Sequence, residues 1–139
     1  MTDMKHVIIF LILIMWACST SEKKQEGSSV SEAGATLDAK AFKEKLASEP
    51  NAVLLDVRTP GEVAEGVIPG AVMIDFSAPD FQEKISALDK EKSYFVYCKG
   101  GGRSSKTVDQ MKTVGFTKLY NLEGGYDAWV GSGFETVIP

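Results

Sequence analysis

The sequence predicts an α/β fold in which a small parallel β-sheet is flanked by helices on both faces. Two observations lead to this prediction. Short and almost wholly apolar runs, at residues 52–57 and 93–98, are typical of parallel strands that are buried on both faces. Segments with helical spacing of apolar residues lie between such runs, and strands that alternate with helices indicate a parallel sheet. The length of 139 residues predicts one folded domain.

Residues 1–17 are predicted to be an export signal rather than part of the fold. Lys5 and His6 precede an apolar run at residues 7–17, which is too short to span a bilayer. Cys18 follows Ala17, and a signal that ends in a small residue before a cysteine resembles a bacterial lipoprotein signal. We therefore expect Cys18 to be lipidated and to anchor the protein to a membrane of the cell envelope, facing the periplasm or the exterior. A signal that is simply cleaved or retained is the alternative.

Residues 18–35 are predicted to be a disordered tether, and residues 36–139 to be the folded domain. From residue 19 to residue 35 the chain is polar and rich in Ser, Glu, Lys and Gly. Val30 is the one large apolar residue in this stretch. Such a segment cannot bury enough apolar surface to fold.

The elements of the domain are predicted in order from caps, apolar spacing and turn residues. Asp38 is expected to cap a helix that ends near Ser48, with Phe42 and Leu46 on its buried face. The first predicted strand follows at residues 52–57. The remaining predicted elements are a turn at residues 59–63, a short strand within 68–74, a helix at 79–88, a strand at 93–98, a helix at 104–114, a strand at 118–122 and a closing helix at 124–133.

Charge and histidine content exclude several classes of function. The formal net charge is -4, which argues against binding to nucleic acid, because nucleic acid is usually met by a basic patch. The one histidine, His6, falls in the predicted signal, so the mature chain would have no histidine to serve as a general base or metal ligand. Cysteine–histidine proteases and histidine-bearing zinc sites are thereby excluded. We expect no metal and no organic cofactor.

Cys98 is the candidate nucleophile. It ends a predicted strand just before a predicted helix, which is where ligands bind in parallel sheets. Glycine N–H groups can form an anion-binding nest, and the helix dipole and an arginine add positive potential, so the thiol could be activated without a base. A flexible surface turn is the alternative. The residues of this predicted anion-binding loop are Lys99, Gly100, Gly101, Gly102 and Arg103.

Asp56 and Arg58 form a second candidate pair at the end of the first predicted strand. They either line the pocket or form a buried ion pair that holds the turn, and we favour the ion pair. Glu62 is expected to be a charge at the start of a helix rather than a catalytic acid. Tyr126 and Trp129 are expected to pack in the core.

Three segments together resemble the motif blocks of the rhodanese family: DVRTPGEVAEGVIPGAVMI, VYCKGGGRS and GFTKLYNLEGGYDAW. The resemblance covers about residues 36–137. It implies the rhodanese fold and sulfur transfer through a persulfide on Cys98. The loop from Cys98 to Arg103 has six residues, as in the sulfurtransferases, whereas the loop is one residue longer in the related phosphatases. Val63 and Val67 stand where the family usually has an aromatic residue and a histidine.

The resemblance implies a rhodanese-type sulfurtransferase. A donor such as thiosulfate would pass its outer sulfur to Cys98, and a thiophilic acceptor such as cyanide or a thiol would take it. A persulfide carrier that delivers sulfur to a partner protein, with little turnover of small molecules, is the alternative. A catalytically idle interaction module is a third, against which the intact Cys98 weighs. The expected partners are a small-molecule donor and acceptor and the membrane, and the protein is expected to be a monomer.

Overall fold

The computed structural model describes residues 33–139, and these residues form alternating strands and helices. In chain order the elements are β1 (Ala33–Leu37), α1 (Ala39–Ser48), β2 (Val53–Asp56), α2 (Pro60–Ala64), β3 (Val72–Met73), α3 (Phe81–Ser86), β4 (Tyr94–Tyr97), α4 (Gly102–Thr113), β5 (Leu119–Leu122) and α5 (Gly125–Gly131). The predicted signal at residues 1–17 and the candidate lipidation site Cys18 lie outside the described residues. Within residues 33–139, no helix has the length and apolar character needed to cross a membrane.

The strands form one parallel sheet in the order β1-β5-β4-β2-β3. Strand β4 is therefore the middle strand, and it pairs with β2 on one side and β5 on the other. This arrangement confirms the predicted α/β fold class. It also places Cys98, the residue after β4, at the carboxyl end of the middle of the sheet.

Alternate residues of the strands feed two separate cores, one on each face of the sheet. Leu55, Val96 and Leu119 point to the face that α3 and α4 cover, where they pack with Val108 and Met111 of α4. Their neighbours in sequence point to the opposite face, which α1 and α5 cover. The members of that second core include Leu54, Phe95, Tyr120, Phe42 and Trp129. Because successive side chains of a strand point to opposite faces, these wholly apolar strands require helices on both sides.

Strand β1 differs from the sequence prediction, which placed residues 18–35 in a disordered tether. Ala33–Leu37 pairs in parallel with β5 along the edge of the sheet. Gly34 has a φ of +90° at an irregularity in the strand, and a side chain there would overlap Lys112. The strand is held by backbone hydrogen bonds to β5, and its small side chains give almost no apolar pattern that the sequence could reveal.

The first two helices show how local capping decides the path of the chain. Asp38 caps α1 as predicted, since its carboxylate accepts a hydrogen bond from the N–H of Ala41 at 2.8 Å. The segment at residues 59–63 was predicted as a turn, but it begins helix α2. There Thr59 and Glu62 form a capping box, and Pro60 occupies the first turn.

Candidate active site

Cys98 lies in a tight loop between the middle strand β4 and helix α4, and it is almost fully buried. Its Sγ accepts a hydrogen bond from the backbone N–H of Gly101 at 3.1 Å. The hydroxyl of Ser104 lies 3.4 Å from the same sulfur. The loop therefore curls around the sulfur and directs hydrogen-bond donors at it.

Hydrogen bonds outweigh burial in setting the charge of Cys98. Burial raises the pKa of the thiol because it removes the thiolate from water, whereas the hydroxyl of Ser104 and the backbone N–H groups of Ser104, Gly101 and Arg103 lower it. The net effect is a pKa below the ordinary value for cysteine. More of Cys98 is then the nucleophilic thiolate, and the activation comes from hydrogen bonds rather than from a basic side chain.

Gly101 is the loop glycine whose conformation requires glycine. Its φ is +99°, and it is the N-cap residue of α4. A Cβ there would lie 3.3 Å from the backbone nitrogen of Gly124. Gly100 and Gly102 have no such φ, and a Cβ at either would meet open space. Among residues 99–103, which were predicted to form an anion-binding loop, the N–H groups of Gly101 and Arg103 are the ones that lower the pKa of the Cys98 thiol.

The N-terminus of α5 holds the loop from the other face of the sheet. The N–H of Tyr126 donates to the carbonyl of Cys98 at 2.7 Å, and the N–H of Asp127 donates to the carbonyl of Lys99 at 3.1 Å. Gly125 has a φ of +61°, and a Cβ there would overlap both of these carbonyls. Gly125, the first residue of α5, is therefore in close contact with the backbone of the loop.

Arg103 is paired with Glu62 of α2. Its Nη2 donates to Glu62 Oε1 at 2.7 Å and its Nη1 donates to Oε2 at 2.9 Å, which is a bidentate pair. The hydrogen bonds from Arg103 and, less strongly, those from Thr59 lower the pKa of Glu62 to about 2, against the opposing effect of burial. Glu62 is thus ionised over the physiological range, and it compensates the charge that we expected Arg103 to lend to Cys98.

Lys99 also has a carboxylate partner. Its Nζ lies 3.1 Å from Oδ1 of Asp127, and both side chains are more than half exposed to solvent. An exposed pair of this kind contributes about 0–1 kcal/mol to stability. The ammonium group of Lys99 is therefore held only weakly by Asp127, and this pairing partly compensates the charge that it could offer to an anionic sulfur donor.

Asp56 and Arg58 form a buried ion pair, which is the interpretation that we favoured from the sequence. Arg58 Nη2 lies 2.6 Å from Asp56 Oδ2, and the two side chains are 2% and 0% exposed. Arg58 also donates to the carbonyl of Gly66, and its guanidinium lies 4.1 Å from the centre of the Tyr126 ring. The pair fixes the segment that carries α2. Tyr126 is partly buried over this pair, and Trp129 is buried in the core.

Two contributors to the site were not identified from the sequence. Ser104 follows the loop directly and lies in the first turn of α4, so its position was a usable signal for a donor. The pairing of Glu62 with Arg103 joins residues 41 positions apart, and no local pattern predicts it. Val67, at the position where the family usually has histidine, is buried and exchanges two backbone hydrogen bonds with Val137 at 2.8 and 2.9 Å.

Comparison with known proteins agrees with this architecture. The family model described as rhodanese-like domain matches residues 38–132. The chain is 44% identical to the protein YtwF of Bacillus subtilis over 91 residues, which are 66% of this chain and 85% of that protein. It is 30% identical to a protein of Allochromatium vinosum named sulfurtransferase, over 74% of this chain and 94% of that protein.

Solved structures give the same result. The crystal structure of a rhodanese-related protein from Thermoplasma volcanium matches with a TM-score of 0.67 at 28% identity, over 76% of this chain and 99% of that chain. A rhodanese-like domain protein from Staphylococcus aureus matches with a TM-score of 0.64 at 31% identity, over 76% of this chain and 98% of that chain. The fold, the family model and these relatives agree, and the chain belongs to the family of rhodanese-like domains.

Proposed function

We propose that the protein is a sulfurtransferase of the rhodanese type, which carries a sulfane sulfur on Cys98 as a persulfide. The observation that carries the proposal is the set of hydrogen-bond donors around the Cys98 sulfur. The N–H of Gly101 donates to it at 3.1 Å, and the hydroxyl of Ser104 lies 3.4 Å from it. The names of relatives such as the sulfurtransferase of Allochromatium vinosum support the same reaction class.

The first half-reaction loads the sulfur. The Cys98 thiolate attacks the outer sulfur of a donor such as thiosulfate and forms a new S–S bond. The S–S bond of the donor breaks, and its electron pair leaves with sulfite. The hydrogen bonds to the Cys98 sulfur stabilise the attacking thiolate.

The second half-reaction unloads it. A thiophilic acceptor such as cyanide or a thiol attacks the outer sulfur of the persulfide, and the Cys98 thiolate leaves with the electron pair of the S–S bond. The same N–H groups that lower the pKa of Cys98 make it a better leaving group. No metal or organic cofactor takes part in either step.

Turnover of thiosulfate and cyanide tests the proposal. The wild-type full chain should form thiocyanate, and donor alone should add the mass of one sulfur atom at Cys98. Cys98→Ser should abolish both results, whereas Ser105→Ala, an exposed serine in the same helix, should keep them. Loading of Cys98 without turnover would instead assign the protein as a persulfide carrier. Absence of loading from any sulfane donor would overturn the proposal.

We further propose that Cys18 is lipidated and holds the domain at a membrane of the cell envelope. The support is the sequence alone, in which Cys18 follows a short apolar run that ends in Ala17. In a bacterial host the protein should fractionate with membranes and incorporate labelled fatty acid. Cys18→Ala should remove the label. A soluble protein with an unmodified Cys18 would contradict this proposal.

A further inference from the structure

Within residues 33–139, the two cations of the Cys98 loop and one cation beside it are each paired with a carboxylate. Lys99 and Arg103 are the charged residues of the loop itself, and Arg58 lines the cavity beside it. Their partners give the pairs Arg103–Glu62, Lys99–Asp127 and Arg58–Asp56. The loop therefore directs hydrogen-bond donors at the Cys98 sulfur, while the charges of the nearby cations are compensated by carboxylates.

The cavity beside the loop strengthens this pattern. It has a volume of about 300 Å³, and its charged lining consists of three carboxylates and two cations, namely Glu62, Glu65, Asp127, Arg58 and Lys99. The charge of Arg58 is already compensated by Asp56, which is fully buried behind it. With the three pairs counted as neutral, Glu65 gives the lining of this cavity an excess of one negative charge, which repels a dianion more than a monoanion.

Arg103 is the cation that matters most for a donor. Its guanidinium is close enough to the Cys98 sulfur that the thiolate contributes to raising the pKa of Arg103, after the larger effect of Glu62. Both of its terminal nitrogens donate to Glu62, at 2.9 and 2.7 Å. Glu62 is itself held in place, because its Oε2 also accepts from the N–H and the hydroxyl of Thr59 at 3.0 and 2.9 Å.

We propose that Glu62 is a positioning residue that determines donor specificity. By binding both terminal nitrogens of Arg103, it withholds the positive charge that a dianionic donor such as thiosulfate needs. The site then favours sulfane donors that carry one negative charge, the class of persulfides and thiosulfonates. This inference rests on the sulfur transfer proposed above, and it names the donor class for the same site.

Two donors of nearly the same size isolate the effect of charge. Thiosulfate is a dianion that leaves as sulfite, and methanethiosulfonate is a monoanion that leaves as methanesulfinate. In both, Cys98 forms an S–S bond to the outer sulfur while the S–S bond of the donor breaks, and its electron pair goes to the leaving group. Their ratio of kcat/KM therefore reports the charge of the site and cancels general damage to the enzyme.

Glu62→Gln is the decisive variant. Glutamine can complete a capping box, so α2 should still form, while Arg103 loses its charged partner. We expect kcat/KM for thiosulfate to rise about tenfold relative to that for methanethiosulfonate at low ionic strength, and the gain to shrink with added salt. Arg103→Gln leaves Glu62 without its cation, and the same ratio should move in the opposite direction.

Glu44→Gln is the matched control. It changes the net charge equally and frees Lys40 on α1, which packs on the opposite face of the sheet from α4. The donor ratio of this control should equal that of the wild type. A ratio unaltered by Glu62→Gln and by Arg103→Gln would overturn the inference.

Alkylation of Cys98 separates the charge argument from the reaction. Iodoacetate is an anion and iodoacetamide is neutral, and both react with the thiolate, so their ratio of rates is independent of the thiolate fraction. Glu62→Gln should raise this ratio several-fold, whether or not sulfur is transferred. An unchanged ratio would overturn the role of Glu62 while leaving the sulfurtransferase proposal intact. Failure of both sulfane donors in the wild type would overturn the proposed function, and the donor assignment with it.

Discussion

Ser104 is the side chain that most lowers the pKa of Cys98. Among the effects that lower the pKa of Cys98, its hydroxyl comes first, ahead of the backbone N–H groups. The same hydroxyl also lies 3.1 Å from the carbonyl of Gly101, and it has one proton to donate. A charged sulfur is the stronger acceptor, so the proton should turn to Cys98 when the thiol ionises.

Ser104→Ala should therefore raise the pKa of Cys98. The thiolate loses a hydrogen bond while its burial is unchanged, so the neutral thiol persists to higher pH. The rate of reaction with iodoacetamide, measured against pH, should show its midpoint displaced upward, and the rate at neutral pH should fall. Ser105→Ala, one residue further along α4 and exposed, serves as the control. A midpoint equal to that of the wild type would exclude a role for the hydroxyl.

Breaking the buried ion pair of Asp56 and Arg58 should greatly reduce the stability of the fold. Asp56→Asn leaves the guanidinium of Arg58 charged and almost fully buried, and breaking a buried pair in this way costs about 3–5 kcal/mol. Urea unfolding would measure the loss. Asp109→Asn breaks the exposed pair with Lys112 and should change stability by no more than about 0.5 kcal/mol. Equal effects of the two substitutions would contradict the structural role of the buried pair.

Among the elements, α4 and α5 act on the loop together although they cover opposite faces of the sheet. Helix α4 begins at Gly102, so it includes the last two residues of the loop, and the N–H groups of Tyr126 and Asp127 in α5 donate to the carbonyls of Cys98 and Lys99. Hydrogen bonds to the Cys98 sulfur thus hold the loop on one side, and hydrogen bonds to its backbone carbonyls hold it on the other. Because the loop is held on both sides, the hydrogen bonds to the sulfur are already in place before a sulfur donor binds.

Gly125→Ala tests the contribution of α5. A methyl group would overlap the carbonyls of Cys98 and Lys99, and the φ of +61° is unfavourable for alanine. We expect a loss of stability of about 1–3 kcal/mol and a larger fractional loss of Cys98 reactivity than that instability explains. Gly131→Ala at the other end of α5 meets open space and is the control. Wild-type reactivity in Gly125→Ala would show that the loop does not depend on this contact.

Helix α2 should make the fold sensitive to acid through Glu62. Its pKa is lowered from 4.5 to about 2 in the folded protein, so the folded state binds a proton less readily than the unfolded state. The stabilisation is fully present above about pH 4.5 and is lost as the pH falls toward 2. Urea midpoints measured over this window should fall less steeply for Glu62→Gln than for the wild type. Parallel curves would rule out this linkage.

The elements also show what the sequence could and could not predict. Helix α1 and strand β4 were predictable because Asp38, Phe42 and the run at residues 93–98 carry their signals within a few positions. Strand β1 was missed because Gly34 and its alanine neighbours pair through the backbone, at an edge that only the assembled sheet provides. The Glu62–Arg103 pair was missed for a similar reason, since only the folded chain brings the two residues together.

The whole molecule is organised around the shared middle strand. Residues of β4 alternate between the two cores, so that Tyr94 and Val96 pack with α3 and α4 while Phe95 and Tyr97 pack with α1 and α5. Neither core can form without this strand. Because Cys98 follows β4 directly, the geometry of the loop depends on the integrity of both faces, and the two faces should unfold as one cooperative unit.

Phe42→Ala should reveal this coupling. Phe42 is fully buried in the α1 and α5 core, and its ring lies edge-on to Phe95 with the centroids 5.2 Å apart. Its truncation should cost about 3–5 kcal/mol. Native-state amide hydrogen exchange should show the same loss of protection in α4, on the opposite face, as in α1, because both helices exchange through global unfolding. Val130→Ala, at a half-exposed position of α5, should leave both unchanged. A loss of protection confined to α1 and α5 would mean that the two cores open independently. The Cys98 loop would then keep the hydrogen bonds to its sulfur while losing those that α5 makes to its backbone.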